Sequence, residues 1–215
     1  MGAETIFNFL FLSVAFLFSI SFHEAGHAFS AKILGDDTAE KAGRLTLNPF
    51  AHLDIFGTIA VFIFHFGWGK PVPVDPDNFK NKKTDIIIVS LAGPMMNFIL
   101  GFFAILLAVT IFRISPQFWS ESLIIRSFLE IFLQINIFLG VFNLLPFFPL
   151  DGGNIVLNLI PRKFFRIAIF WQENSPIIFF IILGIQIFYD IPLFSRILFP
   201  IVEKIIILFQ FLVGF

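Results

Sequence analysis

His23-Glu24-Ala25-Gly26-His27 is the group whose residue types and spacing can do chemistry in this chain. On a helix the two histidines stand one turn apart, about 6 Å in rise and about 40° in azimuth, so both imidazoles reach one metal ion. Glu24 points to the side of the pair, where it can take a proton from an activated water without being a ligand. This is the arrangement of a zinc-dependent peptidase. With only 4 histidines in 215 residues, chance produces the pattern roughly two times in a thousand, so a metal site outranks a triplet of buried polar residues.

The motif must be positioned by an apolar element, because no Lys, Arg, Asp or Glu occurs between Glu4 and Glu24. Residues 5 to 34 read as a membrane-spanning helix, in which each ionisable group costs about 3 kcal/mol and is kept for function. The run is too long for a signal segment, lacks a basic flank and carries the ligands, so it is read as retained. The chain is 58% hydrophobic and 13% charged, with 35 Phe, against roughly 25% charge in a soluble domain. An all-α polytopic membrane protein follows, one domain over 1–215 with a core of about 5–160 and C-terminal helices in 161–215. A net charge of −1 gives no reason to expect nucleic-acid binding. With no cysteine, disulfides and thiolate ligands are excluded, and the metal must be held by His, Asp or Glu.

Two histidines leave a zinc site one protein ligand short. The strongest further candidate is Asp151, in Asn143-Leu144-Leu145-Pro146-Phe147-Phe148-Pro149-Leu150-Asp151-Gly152-Gly153. There an apolar helix from about Leu123 runs into two prolines and then paired glycines. A broken helix in a membrane is tolerated where its freed backbone lines a polar cavity, and Asp151 would sit in it.

The ordered set His23-Glu24-x-x-His27, Gly93-Pro94-Met95-Met96-Asn97 and Asn143-x-x-Pro146 leading to Leu150-Asp151-Gly152 resembles the site-2 proteases, a family of intramembrane zinc metalloproteases. The resemblance covers roughly residues 20 to 160. It implies one Zn2+ per chain on His23, His27 and Asp151, with Glu24 as catalytic base. Gly43-Arg44-Leu45-Thr46-Leu47-Asn48-Pro49 and Gly67-Trp68-Gly69-Lys70-Pro71-Val72-Pro73-Val74 are similar to the compact prokaryotic branch without PDZ or CBS modules.

About five transmembrane helices are expected, at 5–34, 85–112, 123–146, 175–189 and 192–215. A sixth apolar segment, 51–66, is short for a span and contains His65. If it crossed, the first and 123–146 helices would be antiparallel and His23 and His27 would lie far in depth from Asp151. A re-entrant or surface path avoids this, with possible short strands in 43–74. Basic residues agree. Without that crossing one face holds Lys32, Lys41, Arg44, Lys70, Lys80, Lys82, Lys83, Arg162, Lys163 and Arg166, against Arg113, Arg126 and Arg196 on the other. The expectation is an N-terminus outside, and a C-terminus and active-site opening on the cytoplasmic side of a prokaryotic cell membrane.

Asn97 and Asn143 are interhelical polar groups that, by family position, are also candidates for binding the substrate backbone or steadying an oxyanion. His52 and Asp54, at i and i+2, read as a structural polar cluster ahead of a second metal pair. Trp68, Trp119 and Trp171 fall near segment ends, as interface anchors do. The function expected is hydrolysis of peptide bonds in or beside the transmembrane segment of a membrane-protein substrate. The alternative is a non-proteolytic metal-binding membrane protein, a transporter or sensor, which would need ligands at several depths.

Overall fold

The computed structural model describes residues 3–57, 67–189 and 192–214. Its main helices are α1 (Ala3–Ile33), α2 (Lys82–Ile114), α3 (Leu123–Asn143), α4 (Asp151–Leu159), α5 (Phe165–Tyr189) and α6 (Leu193–Leu212). Four helical stretches are long and apolar enough to cross a bilayer: Phe9–Ile33, Lys82–Ile114, Leu123–Asn143 and Phe165–Gln186. The chain is an all-α polytopic membrane protein.

Glycines and asparagines set the central packing. Gly26 of α1 lies against Ala92 of α2, where an added Cβ would stand 2.9 Å from the Ala92 carbonyl oxygen. Seven residues earlier on α1 and five later on α2, Asn97 Nδ2 donates to Ser19 O at 3.1 Å. Partners therefore fall in sequence on α2 as they rise on α1, so the two helices are antiparallel. On the other side of α2, Gly101 faces Ile137 and Gly140 faces Phe98, each leaving room for a side chain that a Cβ would meet at 2.6 Å. α2 and α3 are antiparallel by the same logic, and α1 and α3 parallel. Small residues let the backbones approach where lipid offers no hydrophobic drive between helices.

The antiparallel α1–α2 pair settles the path between them. Ile33 and Lys82 lie at one end of the bundle, so the intervening chain makes no single crossing. The flanks of segment 51–66 meet, through an antiparallel bridge of Leu53 with Gly69 and a bond from Lys70 N to His52 O at 2.8 Å. Its centre, 58–66 with His65, lies outside the described residues. The strands expected in 43–74 reduce, among the described residues, to that bridge.

Trp171 Nε1 donates to Pro146 O at 2.7 Å and Phe148 N to Ser175 Oγ at 3.1 Å, which pins the first half of α5 to the turn after α3. α6 then starts beside the same end of α3, with Phe194 packed on Phe142 and Phe179 at ring distances of 5.9 and 5.7 Å. It finishes where Arg113, in the last turn of α2, donates to Val213 O and Gly214 O at 3.2 and 2.6 Å. The Phe142–Phe179–Phe194 cluster holds the turn between α5 and α6 at the site end, so α6 runs from that end to the last turn of α2. α5 has the length and apolarity of a span over Phe165–Gln186, which overlaps the crossing expected at 175–189.

Candidate active site

α1 carries His23 and His27 one turn apart, and α4 opens with Asp151 beside them. His23 Nε2 lies 3.1 Å from Asp151 Oδ2, His27 Nε2 3.3 Å from Asp151 Oδ1, and the two Nε2 atoms 3.0 Å apart. Gly152 and Gly153 make this placement possible. A Cβ on Gly152 would lie 2.6 Å from the Leu144 carbonyl carbon, and one on Gly153 2.8 Å from the backbone of Phe147 and Phe148. Only glycines let the first turn of α4 nest in the proline turn that brings Asp151 back to α1.

The second ring nitrogens fix the tautomers. His23 Nδ1 donates to Asn97 Oδ1 at 2.6 Å and His27 Nδ1 to Val89 O at 2.7 Å. Both acceptors are carbonyl oxygens, so both Nδ1 atoms carry a proton, and in the neutral tautomer that binds metal the bare Nε2 lone pairs face each other. Facing lone pairs, joined by a carboxylate whose Oδ2 is buried without a hydrogen-bond partner, repel unless a cation sits among them. Their donor atoms lie within 4.8 Å of one another, and nitrogen and oxygen donors suit Zn2+. The residues fit the metal.

Asn97 is fully buried. Its Oδ1 holds His23, and its Nδ2 donates to Ser19 O and to Asn136 Oδ1, the latter at 3.1 Å. The amide is thus bonded within the protein, behind the ring of His23. Asn136, fully buried itself and anchored by its Nδ2 to Phe132 O at 2.9 Å, was missed from sequence. The signal was present, since it is a carboxamide in an apolar helix one turn before Gly140. Asn143 behaves differently: its Nδ2 donates to Leu139 O at 3.0 Å, and the residue lines the open cavity next to Asp151.

Glu24 Oε2 accepts from Val72 N at 2.8 Å. The extended Gly67–Val74 stretch therefore lies over the site and orients the carboxylate. A buried Asp36 fastens this stretch: Oδ2 accepts from Asp75 N at 2.8 Å and Oδ1 from Asn78 Nδ2 at 2.8 Å. It also takes Thr38 N and Oγ1 at 3.0 and 2.5 Å. Burial would raise the Asp36 pKa, but these donors outweigh it and hold the carboxyl below its ordinary value.

A cavity of about 1590 Å³ opens from His23, Glu24, His27 and Asp151 between α1, α3 and α6, larger than a small-molecule pocket. His52 is buried elsewhere, with Nε2 donating to Thr46 O at 2.8 Å and Arg44 Nη2 3.4 Å from Nδ1. Asp54 Oδ1 accepts from Gly57 N at 2.7 Å. These are structural bonds, as the i, i+2 spacing implied. Trp171 Nε1, bonded to Pro146 O, braces α5 against the turn after α3.

An apolar helical bundle carrying a His, His, Asp donor set with the Glu24 carboxylate adjacent in sequence defines an integral membrane metallohydrolase. The pattern of peptidase family M50 matches residues 109–183, a span that includes Asn143 and Asp151. YwhC of Bacillus subtilis (strain 168), a zinc metalloprotease by provisional assignment, is 39% identical over 191 residues, 88% of this chain and 84% of that protein. Zinc metalloprotease MJ0392 of Methanocaldococcus jannaschii is 28% identical over 167 residues, 76% of this chain and 39% of that protein. Rip2 of Mycolicibacterium smegmatis, also provisionally assigned as a zinc metalloprotease, is 33% identical over 165 residues, 72% of this chain and 59% of that protein. The chain thus spans most of YwhC but less than two thirds of the other two. No solved structure matches it. The chain belongs to peptidase family M50, the site-2 proteases, and is an intramembrane zinc metalloprotease in its compact form.

Proposed function

We propose that His23, His27 and Asp151 hold one zinc, that Glu24 carries the proton, and that Asn143 binds the backbone of the substrate. The observation carrying this reading is the convergence of two Nε2 lone pairs, fixed from behind by Asn97 and Val89, on a carboxylate oxygen with no other partner. Bound zinc supplies Lewis acidity, polarising a carbonyl and lowering the pKa of a water toward about 7.

The protein's own groups do the rest. With Oε2 engaged by Val72 N, Glu24 keeps Oε1 to accept a proton as the water oxygen attacks the scissile carbon. It returns that proton to the amine nitrogen as the C–N bond breaks. Asn143, which lines the same cavity as Asp151, orients the carbonyl. Asn154 and Asn158, one turn apart on α4, continue the polar lining away from Asp151 and supply a route for water from that end. The ten basic residues at the histidine end support a cytoplasmic opening in a prokaryotic membrane, and residues 1–215 act as one domain.

A transporter would place ligand groups at several depths; among the described residues one such group occurs. The deciding experiment is Glu24→Gln in the purified full-length protein. It retains about one zinc per chain and loses cleavage of membrane-protein substrates by at least about a hundredfold. Unimpaired proteolysis would end the mechanism. His27→Ala and Asp151→Ala lose the metal, and full zinc occupancy in either removes that residue from the ligand set.

A further inference from the structure

Resting on the reading that a membrane-protein segment enters the cavity, we propose that Glu203, with Gln134, forms a subsite for one Lys or Arg side chain of the substrate's transmembrane segment. Both residues line the cavity. α3 and α6 run antiparallel, since Phe194 packs on Phe142 and Phe199 on Phe138. One turn further along each helix, that register brings Glu203 level with Gln134, near the middle of the 21-residue α3. A carboxylate at headgroup height would need no explanation. One at mid-helix depth carries a cost of about 3 kcal/mol and is retained where it faces a water-filled cavity or a partner.

The charges of the cavity name the partner. Its lining includes Glu24, Asp151 and Glu203 but no Lys or Arg, Lys204 included. Asp151 belongs with both histidines to the metal-binding group, and Glu24 accepts from Val72 N. Among the described residues Glu203 has no hydrogen bond or ion pair. The free negative charge is thus the one far from the reacting atoms, where it selects a cation without disturbing the metal. Gln134 and Gln210, also lining the cavity, add carboxamide oxygens that accept from an ammonium or guanidinium group. Gln134 lies nine residues before Asn143, about 13 Å along α3. An extended substrate covers that in about four residues, which places the basic side chain about that far from the scissile bond, toward the end of the bundle opposite the site.

Full-length Glu24→Gln protein in liposomes, which binds without turnover, tests the subsite. It is offered a photo-crosslinking transmembrane peptide of Leu and Ala with a single Lys moved along it, in parallel with peptides carrying norleucine instead. In one window of positions Lys raises capture about tenfold. Glu203→Gln removes that preference with zinc per chain unchanged, and Glu203→Lys transfers it to a peptide carrying Glu. Equal capture of Lys and norleucine peptides at every position, or a Lys preference that survives Glu203→Gln, overturns the subsite. Capture requires no proteolysis, so such a failure stands apart from the protease reading, which falls only if Glu24→Gln still cleaves.

Discussion

Gly93 of α2 leaves the space into which the His23 ring projects: a Cβ there would lie 2.6 Å from His23 Nε2, the atom that faces the metal. The same Cβ would also press on the His27 ring. Gly93 sits inside a long helix, where alanine is the better helix former by about 1 kcal/mol, so its absence of a side chain serves the metal site and not the helix.

Gly93→Ala should therefore give a folded protein that has lost its zinc. Metal content per chain is expected to fall several-fold while helical circular dichroism stays unchanged. Full zinc occupancy in this variant would show that α1 shifts freely against α2, and would remove Gly93 from the site.

Asn97 is expected to act through His23. Asn97→Leu removes the acceptor that fixes the ring and leaves Asn136 Oδ1 without its donor. Loss of such a supporting bond costs about 10- to 100-fold in metal affinity. Chelator competition reads this directly. If Asn97 instead touched substrate, zinc affinity would be unaltered and only KM would rise.

The chemistry was legible because it is local: the His-x-x-x-His spacing, the proline turn and the two glycines after Asp151 are all contiguous in the chain. The parallel pairing of α1 and α3 was also reachable, since three ligands must share one depth. What lay beyond reach depends on pairs far apart in sequence. Nothing near Asn97 says that its amide is used up by Ser19 and Asn136, and nothing near Val72 says that its N–H meets Glu24. The place of the turn between α5 and α6 depends on such pairs too. Length and apolarity license a crossing, but Phe142, Phe179 and Phe194 decide where the turn between those helices sits.

Asp36 gives the loop over the site a pH dependence. Its folded pKa lies below the unfolded value of about 3.9, so the stability from its four donors is complete above roughly pH 4 and is lost as pH falls through the lower folded value. Hydrogen exchange at Thr38 and Asp75, corrected for intrinsic rates, is expected to stay slow from neutral pH down to about 4 and then rise. Asp36→Asn, which replaces one acceptor oxygen by a donor, should exchange fast at every pH. Equal protection of the two proteins at neutral pH would show that the carboxylate does not fasten the loop.

The cysteine-free chain makes the helix directions cheap to test with an impermeant maleimide. The antiparallel packing of α1 on α2 puts Asp37→Cys and Asn81→Cys on one side of the membrane, and Gln117→Cys, beyond the end of α2, on the other. The basic residues place the first pair in the cytoplasm. The bonds from Arg113 to Val213 and Gly214 add a fourth site: a cysteine appended after Phe215 should label together with Gln117→Cys, from outside. Labelling of that appended cysteine only from the Asn81 side would mean that α5 and α6 form a full spanning hairpin. It would also detach the end of α6 from α2 and, with it, the depth assigned to Glu203.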